Sequence, residues 1–338
     1  MKRQLGRGHV VAAARPKFTR ALASLFLIPA CAALSACGAG PRPTAAAAEP
    51  FPGGAAATRE ARPYSTWQSL GERPVRGSVP GAPEAIWTAP ALSSGGTELG
   101  GFPVGGIASH HLLAHAWIEA WFAELARART VETFFIVSPR HFGQSGGVAS
   151  MSLRPFAVSD GLVEVDAPTA RRVAERLGTS FDDASFTYEH GVSTFMPFIA
   201  RHFPDARVVP LAVDGEAPVD LAGARALAGA LLPEFRDGAE RRAFLLVSSD
   251  FSHHDTKAEA DRRDAISRRF VERPSADTWF FAGCDNRPGM YALGALADGL
   301  GAVGRVLWRT TALDIAPEHV DPRDVTSYFF SFAALAEP

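Results

Sequence analysis

Ala243-Phe-Leu-Leu-Val-Ser-Ser-Asp250-Phe-Ser-His253-His254 is an apolar run that gives way abruptly to small polar residues and then to histidine. A short, continuous apolar run reads as a strand buried on both faces, and an open α/β sheet delivers the residues behind such strands to the crevice at their carboxyl ends. Thr133 to Val137 repeats the build, with Ser138-Pro139-Arg140-His141 behind it. Pro139 has no amide to donate, so it stops the strand and pins the turn that presents His141. Val208 to Val213 is a third buried strand, separated from the run at Ala243 by an Ala- and Leu-rich helix over Leu221 to Leu232. Leu112 to Arg127 carries Leu113, Trp117, Trp121 and Leu125 at helical spacing. Lys257 to Val271 is charged on one side, with Ala260, Ile266 and Phe270 on the other, and Tyr291 to Leu300 is a further helix. Strands over Arg305 to Leu313 and Val325 to Phe332 close the sheet, antiparallel at its edge. The alternation predicts a single α/β domain whose mainly parallel or mixed central sheet is flanked by helices.

The chain begins with Lys2, Arg3, Arg7, Arg15, Lys17 and Arg20, followed by an apolar run from Ala21 to Leu34. A basic segment leading into an apolar one too short to span a bilayer comfortably is the pattern of a secretory signal. Leu34-Ser35-Ala36-Cys37 resembles a bacterial lipobox, so residues 1–36 are expected to be cleaved and Cys37 to carry lipid. The expected protein is an extracytoplasmic, membrane-anchored lipoprotein. Residues 37–76, rich in Ala, Pro and Gly and without sustained periodicity, read as a tether, and residues 77–338 as the folded domain. Removing the signal takes six basic residues and no acids, leaving 28 basic against 36 acidic residues, about −8. An acidic body without a basic block excludes nucleic acid as a partner class, because phosphate binding needs clustered Lys and Arg. Cys31 leaves with the signal and Cys37 is consumed by lipid, so Cys284 has no disulfide partner within the chain. Such a thiol is either buried and inert or used, for instance as a metal ligand.

Chemistry concentrates at the ends of the apolar runs. Ile107-Ala-Ser-His110-His111, His141, Asp250 with His253 and His254, and Gly283-Cys284-Asp285 are the loci. Neighbouring residues on a strand face opposite ways, so one histidine of each adjacent pair faces a site. Imidazoles and a thiolate together suit a soft or borderline transition metal. Asp250 either orients an imidazole through its second nitrogen or, like Ser252, caps a helix. Glu189-His190, just before a helix start, is placed for proton transfer, for support of a metal-bound histidine, or for capping.

Taken in order, these segments resemble the Memo family, in its bacterial branch called AmmeMemoRadiSam system protein B. The family pattern of a histidine near the start, a strand ending in Pro-x-His, Glu-His-Ser/Gly, Ser-Ser-Asp-Phe-x-His and a Cys shortly before Pro falls on His110, Pro139-Arg-His141, Glu189-His190-Gly191, Ser248-Ser-Asp-Phe-Ser-His253 and Cys284-Asp-Asn-Arg-Pro288. Ser109 departs from the usual proline before the first histidine, which leaves the choice between His110 and His111 open. The resemblance implies a fold like that of the class III extradiol dioxygenases. It implies His110, His141 and Cys284 as metal ligands, with Cys284 where those enzymes use a carboxylate. It also implies His253 as acid/base, beside which Asp250, Glu189 and His190 stand as the further catalytic candidates read from the residues. One transition metal is expected, Fe(II) or Cu(I), with Zn(II) as the further choice. Two functions follow from it. One is a dioxygenase-like oxidoreductase acting on a small molecule; the other is a metal-binding or peptide-binding scaffold without turnover. The family name adds an expected functional link to a radical SAM protein and an AMMECR-type protein.

Overall fold

The computed structural model describes residues 101–141, 147–158, 161–187, 189–215 and 220–336. The expected signal, Cys37, the tether and the first part of the domain, to residue 100, lie outside the described residues. In chain order the elements are β1 (Phe102–Ala108), α1 (His115–Ala128), β2 (Thr133–Pro139), β3 (Ala149–Met151), β4 (Phe156–Val158), β5 (Gly161–Val163) and α2 (Ala167–Leu177). They continue as α3 (His190–Ser193), α4 (Met196–His202), β6 (Arg207–Val213), α5 (Leu221–Leu231), β7 (Ala243–Ser248), α6 (Lys257–Glu272), α7 (Arg287–Leu300), β8 (Val303–Thr311), α8 (Ala312–Ile315) and β9 (Ser327–Leu335).

Seven strands form one mixed sheet in the order β3-β6-β2-β7-β1-β9-β8, and helices flank it. Its centre, β6-β2-β7-β1, is parallel; β3 on one side and β9 on the other run against it, and β8 pairs antiparallel with β9. Parallel strands need both faces covered, and β7 is buried along its whole length. The continuous apolar runs at 133 and 243 are the sequence trace of that burial.

β1 is a central strand that the apolar runs do not announce, because Gly105 and Gly106 interrupt it. Both glycines are demanded by close packing. A Cβ at Gly106 would fall 2.5 Å from the Ser331 carbonyl oxygen and 2.9 Å from the Trp121 ring, and one at Gly105 would fall 2.8 Å from Leu293. Trp121 is fully buried against this bare stretch and donates its indole N–H to the Ser331 carbonyl at 3.2 Å. Burying a side chain of this size contributes roughly 2–3 kcal/mol.

α6 departs from its predicted face. Ala260 and Phe270 are buried as the spacing requires, but Ile266 is 42% exposed, and Asp264 and Ser267 turn inward instead. α7 starts at Arg287, a turn earlier than its apolar pattern, because Asn286 caps it by accepting the Gly289 amide at 3.0 Å.

α2 and the turn after α5 are joined by Glu234, which takes Arg172 at 2.8 Å and Arg176 at 2.7 Å. Burial pushes the Glu234 carboxyl up, but the two guanidinium groups outweigh it and hold it below its ordinary value. A lowered folded value means stability that is complete above the unfolded value and is lost as pH falls through the folded one. Glu234→Gln is therefore expected to cost about 1 kcal/mol or less at pH 7, after solvent screening, and less at pH 3. Urea unfolding at the two pH values checks this.

Candidate metal centre

The parallel strands end on one edge, and the residues behind them converge there. β1 leads to Ser109-His110, β2 to Arg140-His141, β6 to Asp214-Gly215 and β7 to Ser249-Asp250. Of these, His110, Arg140, His141, Gly215 and Asp250 line a cavity of about 420 Å³, together with His190 from α3 and Asp285 before α7. One ring nitrogen from each of His110, His141 and His190 lies within 4.8 Å of the others, and so do ligand atoms of His110, Asp250 and Asp285. His110 is common to both groups. Its ring centroid is 4.8 Å from that of His141 and 5.4 Å from that of His190.

Hydrogen bonds decide which nitrogen each ring offers. Ser248 Oγ donates its single proton to the Gly191 carbonyl at 2.6 Å. At its other contact, 3.0 Å from His110 Nδ1, Ser248 must therefore accept. His110 thus carries its proton on Nδ1 and leaves the Nε2 lone pair free. His141 Nδ1 donates to Glu189 Oε1 at 2.7 Å, and its Nε2 is free in the same way. Glu189 is almost fully buried and is held by the His141 amide at 2.8 Å and the Gly191 amide at 3.0 Å. It caps α3 and orients His141 with one carboxylate, so the two roles left open by its sequence position coincide. A carboxylate on the outer nitrogen fixes the tautomer and makes the inner one a better ligand. Burial, and then the neighbouring imidazoles, push His110 well below its ordinary value, and the same causes bring His190 down to about 3. Both rings are neutral at physiological pH.

Two buried carboxylates face that lone pair. His110 Nε2 is 3.5 Å from Asp285 Oδ2 and 3.9 Å from Asp250 Oδ2. Asp285 Oδ1 accepts from Ser249 Oγ at 2.9 Å and from the Asp250 amide at 3.1 Å, while Asp250 Oδ1 accepts from Ser109 Oγ at 2.5 Å. Burial, then the Asp250 charge, drive the Asp285 carboxyl well above its ordinary value. Two carboxylates and an imidazole lone pair converging in a buried site repel one another unless a proton or a cation stands between them. The donor set fits a metal ion.

The other expected site residues fall as follows. His253 is on the cavity wall, its Nε2 3.9 Å from Asp250 Oδ2, too far for a hydrogen bond. Asp250 caps no helix; Thr256 caps α6. His111 also lines the cavity but is tied through Nδ1 to the Tyr328 hydroxyl, and it belongs to neither ligand group. The structure thus places His110, not His111, at the cluster. Cys284 joins neither group among the described residues. Its thiol is packed against the core, and burial followed by the Asp285 charge pushes it up to about 12. The neighbouring Asp285 turns toward His110 in its place.

Ser248, Asn286 and Gly191 are contributors that the sequence reading does not single out. Asn286 Nδ2 donates to the carbonyls of Val137 and Ser248, both at 2.8 Å, clasping the ends of β2 and β7. Its only sequence signal is its position just before Arg-Pro at a helix start. Gly191 admits no side chain: a Cβ there would fall 2.0 Å from Ser138 Oγ and 3.2 Å from His141 Cε1.

Fold and site together define an α/β protein with a cluster of His and Asp side chains at the carboxyl edge of its parallel strands, arranged as a metal ion would need them. Residues 112–279 match the family model described as Memo-like protein. A MEMO1 family protein of Pyrobaculum aerophilum is 30% identical over 173 residues, 50% of this chain and 60% of that protein. The MEMO1 family protein of Methanopyrus kandleri is 29% identical over 45% of this chain and 52% of its own length. A bacterial relative, from Aquifex aeolicus, is 24% identical over 46% and 56%. The chain belongs to the Memo family. It matches a little over half the length of these relatives, and the family-model match takes in His141, Glu189, His190, Asp250 and His253 but stops short of His110 and Asp285.

Proposed function

We propose that this protein holds one transition-metal ion through His110 and His141, with His190 and Asp285 as further donors, and acts as a dioxygenase-like oxidoreductase on a small molecule. The observation that carries the reading is the pair of imidazoles whose outer nitrogens are committed to Ser248 and Glu189, so that both inner lone pairs are free. Fe(II) or Cu(I) suits the nitrogen-rich group, and Zn(II) is the further choice. Such an ion supplies Lewis-acid and redox chemistry at its open positions. His253, on the wall of the same cavity, moves the proton, and Asp250 beside it sets the charge that His253 meets.

Anaerobic titration of the purified protein with Fe(II), Cu(I) and Zn(II) tests the binding step. One equivalent is expected, and Cys284→Ser is expected to leave the stoichiometry unchanged. Loss of binding in that variant would return Cys284 to the ligand set and displace Asp285. Oxygen uptake across a catechol panel tests turnover. Uptake that needs His253 supports the enzyme, whereas metal binding without uptake supports the scaffold. The signal-like start supports placing the protein outside the cytoplasm, anchored by lipid on Cys37, with a functional link to a radical SAM protein and an AMMECR-type protein. Metabolic labelling with palmitate should mark the wild type and not Cys37→Ser.

A further inference from the structure

We infer that Arg140 is the anion-recognition residue of the cavity and that the small molecule it accepts carries a carboxylate. The inference rests on the cavity being the substrate site of the proposal above, and it adds the substrate's chemical class.

Arg140 stands between Pro139 and His141 on the cavity wall and is the one permanently charged cation among the described lining residues. Its side chain is only 2% exposed. Nη1 donates to Asp214 at 2.7 Å and Nη2 to the Ala212 carbonyl at 3.0 Å, while Nε is buried with no partner. A guanidinium is a rigid fork of five donors matched to a carboxylate, and a buried donor left unpaired is costly. The carboxylate it does hold is a loose one, because Asp214 is 79% exposed. Asp214 loses little by turning to water, whereas the buried cation needs an anion throughout. Asp214 therefore reads as a stand-in that a ligand carboxylate displaces.

A second orphan donor lies on a residue held to the next position of the chain. Arg287 Nε is also buried without a partner, and the Arg287 amide donates to the Gly215 carbonyl at 3.2 Å. Two of the four unpaired guanidinium nitrogens among the described residues thus belong to residues fastened to the adjoining positions Asp214 and Gly215.

The test compares 3,4-dihydroxybenzoate with its neutral amide by calorimetry on the purified protein, metal-free and loaded with Zn(II). The acid is expected to bind about tenfold or more tightly than the amide in both forms, the value of a charge-assisted hydrogen bond. Arg140→Gln should erase the difference. Asp214→Asn should strengthen binding of the acid several-fold and leave the amide alone. Equal binding of acid and amide to the wild type, or a preference that survives Arg140→Gln, overturns the inference. If Arg140→Gln does not fold, the exposed Asp214→Asn decides, and unchanged acid affinity counts against it. A protein that takes up none of Fe(II), Cu(I) and Zn(II) yet prefers the acid keeps this inference and sinks the metal reading. One that binds Zn(II) but treats acid and amide alike does the reverse.

Discussion

His110→Ala is expected to abolish stoichiometric metal binding, and Glu189→Gln to weaken it by about 10–100-fold while leaving the fold intact. His110 is the residue shared by both ligand groups, so its loss leaves two imidazoles on one side and two carboxylates on the other, with nothing joining them. Glu189 touches no ligand position itself. It acts through His141, whose outer nitrogen it holds at 2.7 Å, and through the His141 amide, which it holds at 2.8 Å. A glutamine there can still accept one hydrogen bond but supplies no charge and can present its amide nitrogen instead, releasing the ring's tautomer. Competition titration against a chelator of known affinity measures both variants. A Glu189→Gln protein with wild-type affinity would remove the orienting role assigned to that carboxylate.

Asp264→Ala is expected to lose about 3–5 kcal/mol of stability, the cost of leaving a buried charge without its partner. On the inward face of α6, Asp264 is 4% exposed by side chain and takes Arg309 Nε at 2.7 Å. Its other oxygen accepts from Ser252 Oγ at 3.0 Å and Ser327 Oγ at 2.8 Å. One carboxylate thus fastens β8, β9 and the segment between Asp250 and His253. Ser252 is further bound to β9 through its amide to Ser327 Oγ at 2.9 Å. Alanine removes three hydrogen bonds at once and strands Arg309, which keeps only its exposed pairing with Asp261. Urea denaturation measures the loss. Asp264→Asn, which still accepts from both serines, should cost less. A loss under 1 kcal/mol for the alanine would mean that Arg309 swings out to solvent.

Much of the architecture is legible in the chain because burial on both faces leaves a plain mark. Phe134-Phe-Ile-Val and Phe244-Leu-Leu-Val have no polar alternation, and they are the neighbouring strands β2 and β7. β1 carries no such mark, since its two glycines serve close approach and look like a turn when read locally. On α6 helical periodicity names Ile266 for the core, yet Asp264 goes inward, because the guanidinium it meets comes from β8, 45 residues further on. No local pattern encodes a partner that distant.

Within the site the sequence marks each strand end as a place where histidine meets a crevice, and it marks Glu189-His190 as an acid-imidazole pair. It cannot say which nitrogen of which ring is free. That follows from Ser248 being obliged to donate to Gly191, a contact across 57 residues. Nor can it choose between Cys284 and Asp285, neighbours whose side chains diverge, one packed on the core and the other turned to His110.

By itself the sequence determined the α/β class, the family and the set of loci that meet at one edge of the sheet, because apolar runs and the residues just behind them are local properties. The tertiary structure alone decided the tautomers, the turn of Asp285 rather than Cys284 toward His110 and the covered Arg140 side chain, because each depends on a hydrogen-bond partner or a degree of burial supplied by a distant part of the chain.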